Sequence, residues 1–162
     1  SQDAKPVFLA QVWTTSRAEP SIAVTPAFPA VPGPMELRDQ DSIAAGRGMK
    51  TNGFWNNLEG RPVHFRVYSD PPAPVPQQHR WMRFRDWPAE GADDLFFDAM
   101  RTALLIDLGI WPGHWHRLTE TAPYLAPSLD LTVYFHGRQP AGDWLLSEAD
   151  SGHCLVTTPK PR

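Results

Sequence analysis

The sequence predicts an α+β fold, in which an antiparallel sheet packs on one long helix. Three observations carry this. Several short segments alternate apolar and polar residues with a period of two, as half-buried strands do. One segment, 93–108, carries apolar residues at helical spacing over about four turns. Finally, 18 prolines and 11 glycines cut the rest of the 162 residues into loops and edges; proline alone runs at roughly twice its usual ~5% share.

The elements are taken in chain order. Residues 7–13, Val-Phe-Leu-Ala-Gln-Val-Trp, read as a short buried strand. From Ser16 to about Gly53 the composition changes: Pro20, Pro26, Pro29, Pro32 and Pro34 crowd together, then Gly46, Gly48 and Gly53. This reads as a surface-running linker with little regular structure and one helical turn near Met35–Asp41. Residues 61–67 put Val63, Phe65 and Val67 on one face and His64 and Arg66 on the other. Residues 80–87 alternate likewise, with Met82 and Phe84 opposite Arg83 and Arg85. Asp93 and Asp94 open the helix, where carboxylates meet the positive end of its dipole, and Gly109 and Pro112 are expected to stop it. Leu95, Phe96, Met100, Ala103 and Leu104 form its apolar stripe, with Asp94, Asp98 and Arg101 on the wet side. Strands are then expected over 128–136, which alternates strictly, over 144–149 after the turn Pro140–Asp143, and from 153 to 158.

Composition excludes several classes. A formal charge of −3 and a pI near 6.0 give no general attraction to nucleic acid or to anionic membrane. No apolar run approaches the ~20 residues of a membrane span. The single cysteine, Cys154, allows no intrachain disulfide and no Cys-rich zinc site, and favours a cytoplasmic location. No cofactor and no metal are expected. His114 and His116 have the spacing of a ligand pair on a strand, but they fall in a segment that reads as loop and lack a third ligand. Gly46–Gly53 resembles a phosphate loop in composition only. Arg80, Arg83 and Arg85, interleaved with Trp81 and Trp87, read as an exposed strand face.

Asp107 is the most informative residue. It lies three, four and seven positions beyond Leu104, Ala103 and Met100, on the apolar stripe of the helix. A carboxylate there is costly unless hydrogen-bonded or functional. It reads either as a general base that orients water or as a last-turn Asp that turns outward.

These residues resemble a family. Trp81-Met-Arg-Phe-Arg, Leu105-Ile-Asp-Leu-Gly, Ser128-Leu-Asp-Leu-Thr-Val-Tyr-Phe-His136 and Asp143-Trp-Leu-Leu146 resemble, in order and spacing, the second half of the TesB-like acyl-CoA thioesterases. Arg61-Pro-Val-His-Phe is similar to the first strand of that half, and Gln2–Trp13 to the last hairpin of the half before it. The resemblance implies a hotdog fold, an antiparallel sheet wrapped around one long helix, as part of a double hotdog. It divides the chain into 1–16, the last hairpin of a preceding hotdog unit; 17–53, the linker; and 54–162, a C-terminal hotdog unit without its last strand.

The activity so implied is hydrolysis of fatty acyl-CoA to free acid and CoA. In the family an Asp near the helix end, a Ser or Thr opening the next strand and a Gln on the last strand hold the attacking water. Asp107 matches the first and Ser128 the second; the Gln strand falls beyond Arg162. Strand parity sets Ser128 opposite Leu129 and Phe135, so the pair meets only at a strand end or a bulge. The alternative is a non-catalytic hotdog module for acyl binding or assembly. A sheet lacking its last strand also leaves an edge open, so self-association, or pairing with a missing segment of the same protein, is expected.

Overall fold

The computed structural model describes residues 11–12, 27–50, 53–67, 70–71, 77–86, 94–115 (backbone only for 110–115), 130–135 and 144–150. The chain divides into two units, 1–30 and 31–162. All the described regular structure belongs to the second. It contains a three-stranded antiparallel sheet: β1 (Leu58–Pro62), β2 (Gln77–Phe84) and β3 (Leu145–Asp150), with β2 in the centre. A short helix, α1 (Gln40–Gly46), precedes the sheet, and a long one, α2 (Leu95–Trp115), comes between β2 and β3. This is the α+β arrangement that the sequence predicts.

The register assigns the two faces of the sheet. Gly60 pairs with Met82, and Met82 with Leu145; Glu59 pairs with Arg83, and Trp81 with Leu146. On the face towards α2, Leu58, Met82 and Leu105 form the dry core, and Trp55, Phe84, Leu108 and Leu145 pack around it. Met82 is its centre at 1% exposure. Burying a side chain of that size stabilises by about 1.5–3 kcal/mol.

β2 and β3 fall close to the predicted segments. The strand expected over 61–67 does not: pairing runs over 58–62, and Val63 adds one last bond from its N–H to the His79 carbonyl. Beyond it the chain bends. The Asp70 carboxylate accepts the Val67 N–H at 3.0 Å, and Arg66 donates to the carbonyls of Asp70 and Pro71. These side-chain bonds replace a ladder, although the alternation of Val63, Phe65 and Val67 is real. Residues 130–135 form no strand either; Tyr134 and Phe135 are exposed. Alternation alone does not supply a pairing partner.

The helix departs from expectation at its end and on its face. Asp94 opens it as predicted, its Oδ1 accepting the N–H groups of Phe96 and Phe97. It then runs through Gly109 and Pro112 to Trp115, so the segment holding His114 is helix rather than loop. Gly109 is there for packing. A side-chain carbon at that position would lie 2.6 Å from Ser147 Oγ, so its absence lets α2 approach β3 closely. Pro112 forgoes one backbone bond three residues before the helix ends.

The face is reversed. Arg101, Thr102, Leu105 and Gly109 are buried against the sheet, whereas Phe96 is 69% and Leu104 45% exposed, and Leu95 and Met100 are also exposed. Some of these polar groups satisfy one another. Arg101 Nη2 meets Asp98 Oδ1 at 2.6 Å, and Thr102 Oγ1 donates to the Asp98 carbonyl.

The later part of the expected linker carries more structure than one turn. A 3-10 turn, Pro34–Glu36, leads into α1. Asp39 caps α1 through Ser42 N–H at 2.8 Å. At its other end Gly48, with φ of 69°, allows the N–H groups of Gly48 and Met49 to return to the carbonyls of Ala45 and Ala44. That closes the helix, so the glycine of the supposed phosphate loop serves a cap. The expected strands at 7–13 and 153–158 and the turn Pro140–Asp143 lie outside the described residues, apart from Gln11 and Val12.

Candidate active site

Asp107 stands on α2 two residues before the Gly109 seat. At 100° per residue it lies about 200° around the helix from Leu105, which faces the sheet. The carboxylate therefore sits on the other side of α2, on the stripe with Met100 and Leu104. Both of those are exposed while Asp107 itself is half-buried. The placement on the apolar stripe matches the sequence reading; the stripe itself faces away from the β1–β3 sheet. Ser128 lies outside the described residues, so the two are not brought together here.

Sequence reasoning missed a polar cluster on the sheet face away from α2. Glu59 is buried in β1 and held by two arginines. Its Oε1 accepts from Arg61 Nε and Nη2 at 2.9 and 2.7 Å, and its Oε2 from Arg83 Nε at 2.8 Å and Nη2 at 2.7 Å. Both guanidiniums also lie over the Trp144 ring, Arg61 at 5.5 Å and Arg83 at 4.7 Å from its centroid. Burial alone would push the Glu59 carboxyl up. The hydrogen bonds from Arg61 and then Arg83 outweigh it and hold the group below its ordinary value.

Arg61 continues into the preceding segment. Its Nη1 donates to the carbonyls of Leu37 at 2.8 Å and Pro34 at 3.2 Å. The Trp81 indole N–H donates to Pro32, and Arg85 pairs with Asp41 at 2.7 Å. Cross-strand pairing of Glu59 with Arg83 was legible once both strands were in register. The strand placed at 61–67 hid it.

The expected exposed arginine face needs correction. Arg83 is half-buried and paired, and only Arg85 is exposed. Arg80 is buried on the α2 side, sharing parity with Met82 rather than with Arg83. That parity was the available signal. His64 is exposed in the bend beyond β1, whereas Arg66, expected on the same wet face, is buried. His79 meets Glu148 at 3.3 Å across β2 and β3. Among the described residues no group of three or more His, Cys, Asp or Glu could hold a metal, and no helix is long and apolar enough to cross a membrane.

Residues 29–154, most of the chain, match the family of the acyl-CoA thioesterase C-terminal domain. The chain belongs to this family. The sheet and helix of residues 31–162 are accordingly a hotdog unit, and the resemblance seen in Trp81–Arg85, Leu105–Gly109 and Asp143–Leu146 lies within the matched range. No curated protein matches the chain. Membership of this acyl-CoA thioesterase family associates the chain with thioester hydrolysis in general and with acyl-CoA as the substrate class.

Proposed function

We propose that this protein hydrolyses fatty acyl-CoA to free acid and CoA, with Asp107 as general base and Ser128 as the hydroxyl that positions the water. The observation that carries the reading is a half-buried carboxylate on the apolar side of α2, within a chain of the acyl-CoA thioesterase family. An apolar surface suits a fatty chain, and a carboxylate beside it can take the proton of a water aimed at the thioester carbonyl. The hydroxide adds to the carbonyl carbon, and backbone N–H groups stabilise the oxyanion. The C–S bond then breaks, and the proton held by Asp107 passes to the departing thiolate. Water is consumed, and one acid and one thiol are released.

The division into a preceding hairpin at 1–16, a linker at 17–53 and a hotdog unit from 54 belongs to the same reading. So do a cytoplasmic location and association with another copy or segment of the protein. The test is Asp107→Asn in the complete protein. Activity on acyl-CoA should fall about 10²–10⁴-fold with the fold retained, and Ser128→Ala should cost less. Unchanged hydrolysis in Asp107→Asn would sink the assignment and favour a non-catalytic acyl-binding or assembly module.

A further inference from the structure

Residues 31–48 are fastened to the sheet by charge and scarcely by apolar burial. Ala44 alone among them is buried, and Met35 is turned out to solvent. The packing that holds Met82 in the core is therefore nearly missing here. What attaches the segment is a row of side-chain bonds. Trp81 Nε1 donates to the Pro32 carbonyl at 2.9 Å, Arg61 to those of Pro34 and Leu37, and Arg85 to the Asp41 carboxylate. Just past α1, Arg47 closes the row: it meets Asp70 at 2.7 Å and lies 5.3 Å from the centroid of the Phe65 ring.

Salt and acid weaken bonds of this kind. The side chains of the Arg85–Asp41 and Arg47–Asp70 pairs are 26–42% exposed. Pairs so open to water hold little each and are screened by dissolved ions. Arg61 is the more buried fastener. Glu59 Oε1 grips its Nε and Nη2, which leaves Nη1 aimed at the carbonyls of Pro34 and Leu37. The other charges near the row are Asp39, the cap of α1, Arg83 on Glu59, and Arg66 on the Asp70 carbonyl. Arg80 stands beside Gln40 and Asp41.

We propose that residues 31–48 form a charge-fastened strap that opens as one unit in salt or acid, while the β1–β2–β3 sheet and its Leu58–Met82–Leu105 core stay folded. Opening uncovers the Trp81 indole N–H and the face of Gly60 against Gln40. It also melts α1, because a helix of seven residues does not persist once detached. The carboxylates set the acid direction. Asp70 is held below its ordinary 3.8, first by the hydrogen bond from Arg47. At Glu59 burial pushes upward, but the bonds from Arg61 and Arg83 outweigh it and keep the group below its ordinary 4.5. Their contribution is complete above those values and is lost as pH falls through the folded ones. The strap lies apart from Asp107 in the chain and stands whether or not the protein is a hydrolase.

Hydrogen exchange of the whole chain, read amide by amide, tests this. The reporters are the N–H groups of Ile43, Arg47 and Met49, which bond within α1 and its cap. Raising sodium chloride from about 0.05 M to about 1 M should speed their exchange about fivefold. The β2 amides paired to β1 and β3 should change less than about twofold. Asp41→Asn combined with Asp70→Asn alters two surface carboxylates and keeps an acceptor for the Val67 N–H. At low salt this variant should exchange at α1 as the parent does at high salt, with little further response. On lowering the pH from about 5 to about 3, α1 should lose protection before β2. Salt-independent exchange of α1 in the parent, an undiminished salt response in the double variant, or loss of protection by α1 and β2 together would overturn the proposal.

Discussion

The two faces of the β1–β2–β3 sheet solve the same problem in opposite ways. Both carry arginines from β2, three residues apart. Arg83 points to the outer face, where Glu59 takes two of its hydrogen bonds and Trp144 covers it. Arg80 points to the α2 face, among Met82, Leu58 and Trp55, where its Nε meets no acceptor among the described residues. The outer face is held by directional charge pairs that a change of pH can remove. The inner face is held by packing, which depends on shape.

Breaking each face should therefore leave different signatures. The largest effect is expected inside. Met82→Ala empties the centre of the core and should cost about 4 kcal/mol in chemical denaturation, nearly independent of pH between 4 and 8. Next comes the outer face. Glu59→Gln leaves two guanidiniums without their anion and should cost about 2 kcal/mol.

The acid response is set by the sign of the shift. The folded Glu59 carboxyl sits below its ordinary value of 4.5, so its contribution is complete above that value and is lost as pH falls through the folded one. Stability against pH below 4.5 should be flatter in Glu59→Gln than in the parent. Equal acid slopes would show that the outer cluster is not the pH-sensitive element.

The smallest effect sharpens the contrast. Gly109→Ala gains about 1 kcal/mol of helix propensity but forces Ser147 Oγ to turn away from a 2.6 Å approach, so the net change should stay within about 1 kcal/mol. In a Ser147→Ala background the same substitution should become stabilising, because the remaining approach, 3.4 Å to the Ser147 Cβ, is ordinary contact. A double-mutant cycle checks this; additivity would mean that α2 is not seated on Ser147.

What was legible in the sequence divides along the same line. Period-two patterns found β2 and β3, because Met82 and Phe84 on one side and Arg83 and Arg85 on the other describe a sheet with two unlike faces. The same pattern misplaced β1, since it contains Gly60 and a buried Glu59, neither of which looks like a strand residue alone. The α2 face was read backwards because polarity was equated with exposure. Asp98 accepts from both Arg101 and Thr102, and single-helix periodicity does not reveal such a pairing. Gly109 and Pro112 were read as breakers, while tertiary contact with β3 overrides the propensity of the first. For the candidate site, spacing and resemblance together singled out Asp107, and the spacing fixed its place on the stripe with Met100 and Leu104; Ser128 lies outside the described residues.

The bonds running from the sheet to residues 32–41 bear on where the smallest self-sufficient piece of this protein begins. Trp81 holds the Pro32 carbonyl, Arg61 those of Pro34 and Leu37, Arg85 the Asp41 carboxylate, and Gln40 closes the wall beside Gly60. A polypeptide trimmed to start at residue 54 would keep every described strand and α2 yet strip three donor side chains of these acceptors at once. Trimmed at residue 31, it would keep them all. In terms of wiring rather than composition, residues 32–41 act as a support bonded to the sheet rather than as a loose tether.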